Sequence, residues 1–189
     1  MDSTIKGTFH FIRKEIQNIL AVSYVLIVAI GMLFTHKKYS EFGINIFDYA
    51  DVFDFLIAPF SDMRILLFSG ITLFIVFLVV RSDIFLRAKY PRTYSKFNFG
   101  LEKKRFYVWV QSGTFTFLLI LYLTNSASIY GNIAKKEVLK SASVELQYID
   151  GEQIQGKIIG KTQQVLFLLE GETVKAVPIL STVKSYQIK

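Results

Sequence analysis

The chain has 189 residues, 52% of them hydrophobic, 15% aromatic and 20% charged, with a net charge of +7 and a pI near 9.5. Soluble domains carry about 45–50% apolar and about 25% charged residues; here the apolar excess is gathered into blocks, which argues for membrane segments. Cysteine is absent, so disulfides, thiolate catalysis and cysteine-ligated metals are excluded.

Residues 1–15 are polar and basic, with Phe9, Ile12, Ile16 and Ile19 at helical spacing. They form either a short interfacial helix or an extension of the first span. Residues 16–35 hold no charge and at 1.5 Å per residue cover about 30 Å, the depth of a hydrocarbon core. No small-residue cleavage site follows, so this first span is expected to be retained.

Residues 36–64 carry Glu41, Asp48, Asp51, Asp54 and Asp62. Each aspartate costs roughly 2.5–3.5 kcal/mol at a bilayer centre, which disfavours another span. The pattern predicts instead an interfacial amphipathic helix over about 48–58, capped by Asp48 and stopped by Pro59.

Residues 65–80 are again uncharged. They cover only about 24 Å, but Arg64 and Arg81 can snorkel outward and lengthen this second span. The loop 81–105 follows, irregular in pattern around Pro91. Eight Lys and Arg there face only Asp83 and Glu102, so six of the seven net charges lie in this stretch. A basic cluster between two apolar blocks reads as an inward-facing loop beside anionic lipid headgroups, with no nucleic-acid partner expected. Arg81, Arg87, Lys89, Arg92, Lys103, Lys104 and Arg105 are its candidate headgroup contacts.

The third span is expected over about 106–126, with Tyr107, Trp109 and Tyr122 as interface anchors. Beyond it, AKKEVLKS (134–141) is expected to continue as a helix out of the membrane. From Ser143 the period changes to two: Val144, Leu146 and Tyr148 alternate with polar residues. Asp150-Gly151 is a strong hairpin signal and Gly171-Glu172 a weaker one. Four or five short strands fit into 143–189. The expected fold is thus an α-helical integral membrane protein: three transmembrane helices and an interfacial helix within 1–134, then a small all-β domain, an SH3-like or Sm-like barrel or sheet.

Counting Lys and Arg near the spans gives eleven inside against six outside when the N-terminus is cytoplasmic. The chain is expected in the plasma (bacterial inner) membrane with an extracytoplasmic β domain.

Chemistry is sparse. Asp48, Asp51 and Asp54 recur every third residue and read either as a hard-cation site or pore mouth, or as the solvated flank of an interfacial helix. The plainer reading carries more weight, since no glycine-punctuated calcium loop is present. Gln111, Thr114 and Thr116, with Ser112 and Gly113, make a polar path or, more simply, interhelical contacts. No charge lies inside a span, which argues against an ion-coupled transporter. His10 and His36 lack partners at metal-ligand spacing, and no serine stands in a nucleophile context. No enzyme activity, cofactor or metal is expected.

The functional expectation is a membrane-anchored assembly or sensor module presenting its β domain, acting as a homo-oligomer or with a protein partner. The second expectation is a homo-oligomeric channel, with Asp48, Asp51 and Asp54 at its mouth.

Overall fold

Apolar length organises the first 140 residues into long helices. A computed structural model describes residues 2–98, 101, 104–148, 152–179 and 183–187. The Asp150-Gly151 turn and Lys103 lie outside the described residues.

Helix α1 runs unbroken over Asp2–Ser40, so the N-terminal stretch extends the first span. A 3-10 turn, Ile46–Asp48, leads to α2, Val52–Ser61. Helix α3 spans Met63–Lys89, α4 Pro91–Phe97 and α5 Tyr107–Lys140. Three of these, α1, α3 and α5, are long and apolar enough to cross a membrane. Leu20, Val25, Leu67, Phe74, Phe117 and Ile120 stand exposed on their outer surfaces. So much contiguous apolar surface is unusual for a protein in water.

Two boundaries differ from the sequence reading. Helix α2 starts at Val52, not near Asp48, because Asp51 and Asp54 form a reciprocal capping box. Pro59 lies inside α2 rather than ending it. It supplies no amide to the Phe55 carbonyl, and that carbonyl lies against Gly31 of α1, where a Cβ would collide with it. The stretch 81–105 is also more regular than expected. Helix α3 continues past Arg81 to Lys89, and Pro91 opens α4 at a helix N-terminus, where its missing N–H costs nothing.

Antiparallel packing of α3 and α5 follows from contacts at both ends. Arg64, at the start of α3, meets Glu137 near the end of α5. Asp83, late in α3, accepts from Gln111, early in α5. Helix α1 runs parallel to α5, and at Gly131 a Cβ would sit 2.8 Å from the Lys37 carbonyl. Midway, the Thr72 and Ser126 hydroxyls bond at 2.8 Å, an interhelical contact of the kind apolar surroundings favour.

The C-terminal strands are β1 (Val144–Tyr148), β2 (Gln153–Lys161), β3 (Val165–Glu170), β4 (Thr173–Pro178) and β5 (Val183–Gln187). They form an antiparallel sheet in the order β4-β3-β2-β1-β5. Strand β2 pairs with β1 through its first half and with β3 through its second, with a register shift between Ile158 and Gly160. Such a bulge bends a strand. Gly171, at φ +60°, turns the two-residue β3–β4 hairpin where sequence placed a turn.

Strand β3 is buried on both faces. Leu166 and Leu168 join Leu146, Ile154 and Val177 inside the sheet. Phe167 and Leu169 point the other way, into a cluster with Tyr39, Ile44, Ile46, Phe55, Val138 and Ile159. The apolar run Val165–Leu169 is thereby covered on one face by the sheet and on the other by the chain's own helices.

Candidate functional site

Where the helix ends meet the sheet, α1, α2, α3, α5, β2 and β3 contribute to one junction. Its apolar centre is Phe167. The rings of Tyr39 and Tyr49 both stand edge-on to it, each with centroids 5.2 Å away, a favoured aromatic geometry. The exposed apolar residues Phe53, Ile57 and Phe60 recur along the outer face of α2, while Phe55 and Pro59 are buried. The helix is therefore apolar on both sides, which suits an element pressed on the bundle at a lipid boundary.

The polar part is organised around Asp62, the N-cap of α3. Its Oδ1 accepts from the Arg64 amide at 3.1 Å and from Arg64 Nε at 2.9 Å. Its Oδ2 accepts from Arg64 Nη2 at 2.8 Å and from the Tyr130 hydroxyl at 2.9 Å. Arg64 Nη1 donates onward to Glu137. Partial burial alone would push the Asp62 carboxyl up. The hydrogen bonds from Arg64 and Tyr130 outweigh it and hold the group below the ordinary carboxylate range. Helices α3 and α5 are thus tied through one carboxylate.

Further bonds fasten the sheet and the α1–α2 connection to the helices. The Asp54 Oδ1 accepts from the Gln163 amide at 3.1 Å. Lys157 Nζ donates to the Leu139 carbonyl, and Lys135 Nζ to the Glu41 carbonyl at 2.7 Å.

The residues singled out from sequence separate. Asp54 enters the junction and Asp51 caps α2, accepting from the amides of Phe53 at 2.7 Å and Asp54 at 3.2 Å. Asp48 stands in the 3-10 turn instead of capping α2, and accepts from Asn45 Nδ2 at 3.0 Å. The three aspartates therefore do not share one flank of a single helix.

Gln111 bonds Asp83 at the opposite end of the helices. There Tyr94 donates to Asp83 at 2.8 Å and shares a hydrogen bond with Tyr107, while Arg87 lies over the Tyr107 ring at 5.5 Å. Thr114 donates back to the Val110 carbonyl at 2.9 Å and is exposed, as is Thr116. Within one chain, Gln111, Thr114 and Thr116 do not share a lining. Arg81, Arg87, Lys89, Arg92, Lys104 and Arg105 are exposed at that same end.

Missed from sequence were Lys38, Tyr39, Arg64, Tyr130, Gln163 and Phe167. Only Lys38 and Arg64 carried a sequence signal, polarity just beyond an apolar run, which they share with many span-flanking residues.

No protein-family model matches the chain, and no curated protein matches it. Among solved structures it is similar to the pleiotropic translational regulator Hfq, at 15% sequence identity. That likeness covers 32% of this chain and 98% of the other, with a TM-score of 0.25.

Proposed function

We propose that the chain is a non-enzymatic integral membrane protein, an assembly module whose three spanning helices hold a small Sm-like or SH3-like β barrel at the membrane surface. The observation that carries this reading is a free sheet edge on a domain fixed to the helix ends. Strand β4 pairs only with β3 among the described residues. The Ile179 amide donates to the Gln164 carbonyl at 2.8 Å. Antiparallel alternation from that bond turns the amides of Lys175 and Val177 toward β3, and those of Val174 and Ala176 outward. Pro178 falls in the outward register, where a strand tolerates proline. Outward amides on an exposed edge recruit a strand from another chain, and the strand supplied is that of a second copy.

The junction supports this reading further, because rigid docking fixes the direction in which the edge faces. The positive-inside balance favours a cytoplasmic N-terminus and an extracytoplasmic β domain. Phosphatase fused after Lys189, with a fluorescent protein inserted in 92–98, tests that orientation; phosphatase activity with loop fluorescence is expected, and the converse overturns it. Assembly is tested by treating isolated membranes with an amine-reactive crosslinker. Multiples of the 21.7 kDa chain are expected, and a monomer alone contradicts the proposal.

A homo-oligomeric channel is the second reading, favoured by the exposure of Ser112, Gly113, Thr114 and Thr116 on an otherwise apolar helix. Conductance reduced by Thr114→Leu would support it, and a silent, verified oligomer would remove it.

A further inference from the structure

Between the ends of α1, α2 and α3, the shaft of α5 and the β2–β3 turn lies an open cavity of about 640 Å³, within the range of small-ligand sites. Its wall is divided by chemistry. Ile57, Ala58 and Ile65 line the helix side, and Lys38, Tyr39, Lys161 and Gln163 the sheet side.

The two carboxylates on this wall are already engaged. Asp62 accepts from Arg64 and Tyr130 through both oxygens. Asp54 accepts from the amides of Gln163 and Asp51. Lys38 and Lys161, in contrast, have no carboxylate within ion-pair distance among the described residues. Lys38 is half-buried, so its ammonium gives up much of its hydration, while Asp62 and Glu137 act on it only from beyond ion-pair distance. A partly desolvated ammonium calls for an anion. The Tyr39 hydroxyl and Lys38 Nζ converge at Gly160, where a Cβ would meet both, with Nζ 3.2 Å away. Lys161 is the next residue on that strand.

We propose that this cavity binds a phosphate-bearing anion, with Lys38 and Lys161 as its charge partners and the Tyr39 hydroxyl as a further donor. Phosphate suits the arrangement because its several oxygens accept from separate donors at once. Depth favours an amphipathic ligand. Thr35 and Ile65, both on the cavity wall, are the residues at which the uncharged runs of α1 and α3 end and begin. A glycerophospholipid headgroup and free inorganic phosphate share the chemistry required.

The test uses the full chain in nanodiscs and reads binding, not oligomer mass, so it succeeds or fails independently of assembly. One arm compares phosphatidylcholine discs with discs containing phosphatidylglycerol, following the thermal midpoint and lipids retained in native mass spectrometry. A second arm titrates inorganic phosphate into phosphatidylcholine discs. Lys38→Gln and the exposed-site variant Lys161→Gln should each weaken the response roughly tenfold, as for a lost charge-assisted hydrogen bond. Lys175→Gln, whose lysine pairs with Glu170 on the sheet edge, should leave it unchanged. A lysine-dependent response to phosphatidylglycerol alone assigns the lipid source, and one to inorganic phosphate alone assigns the soluble source. No response in either arm, or one that all three variants keep, overturns the proposal. Because Lys161 is exposed on β2, its variant remains a valid test even if Lys38→Gln disturbs folding.

Discussion

The Gln163 backbone amide donates to the Asp54 carboxylate at 3.1 Å across 109 residues of sequence. The other oxygen of that carboxylate accepts from the Asp51 amide at 3.1 Å and closes the capping box of α2. One side chain therefore both starts a helix and ties the sheet to it. Asp54→Ala should cost about 1–3 kcal/mol, combining a lost cap with an orphaned amide. Asp48→Ala, which loses only an exposed bond from Asn45, should cost less than about 0.5 kcal/mol. Denaturant midpoints in detergent would separate them, and equal losses would contradict this role for Asp54.

Phe167 is the apolar counterpart of that tie. Truncation to alanine removes both edge-on contacts, with Tyr39 and with Tyr49, and should cost about 3–5 kcal/mol. The loss should be local. Amide exchange is expected to rise in α2 and β3 while the α3–α5 contact at Thr72 and Ser126 stays protected. Uniform exchange throughout the chain would mean that sheet and helices do not meet at this residue.

Two glycines make a paired test of helix packing. At Gly31 a Cβ would meet the Phe55 carbonyl, so Gly31→Ala should push α2 off α1 at about 1–3 kcal/mol. At Gly70 a Cβ meets nothing within 4 Å. Gly70→Ala should therefore gain helix propensity, up to about 1 kcal/mol. Thermal midpoints moving in the same direction would disprove the close approach at Gly31.

Acid should loosen the junction through Asp62. Its carboxyl is held below the ordinary range by Arg64 and Tyr130. A group whose folded pKa is depressed stabilises the fold above its unfolded pKa and loses that contribution as pH falls through the folded one. Stability should thus be flat in this respect from neutral pH to about 5, and should fall only below the ordinary aspartate value of about 3.9. Asp62→Asn should lower the midpoint near neutral pH and remove this part of the acid sensitivity. An unchanged pH profile in that variant would reject Asp62 as the responsible group.

Much of the scaffold was legible because its signals are local. Uncharged runs over 16–35 and 65–80 and the apolar stretch over about 106–126 marked the three long helices, and alternation at Val144, Leu146 and Tyr148 marked the change to strands. Gly171-Glu172 marked its hairpin correctly. Helix limits were less legible, since a helix leaving an apolar layer need not end there. Arg81, Arg87 and Lys89 continue α3, and Pro59 is tolerated because the Phe55 carbonyl faces Gly31. The junction itself was illegible. Lys38, Asp62, Tyr130 and Lys161 are brought together only by the antiparallel helices and the docked sheet. Gln111, read as part of a polar path or, more simply, as an interhelical contact, bonds Asp83 of α3, 28 residues away.

Assembly through the edge of β4 is decided by the mass of the purified chain in nanodiscs, measured by light scattering. Ala176→Pro removes an outward amide while sparing the bonds to β3. An integral multiple of 21.7 kDa is expected for the unaltered chain, with a shift toward the monomer in Ala176→Pro at an unchanged circular dichroism spectrum. A strict monomer, or an oligomer that Ala176→Pro leaves intact, would contradict it.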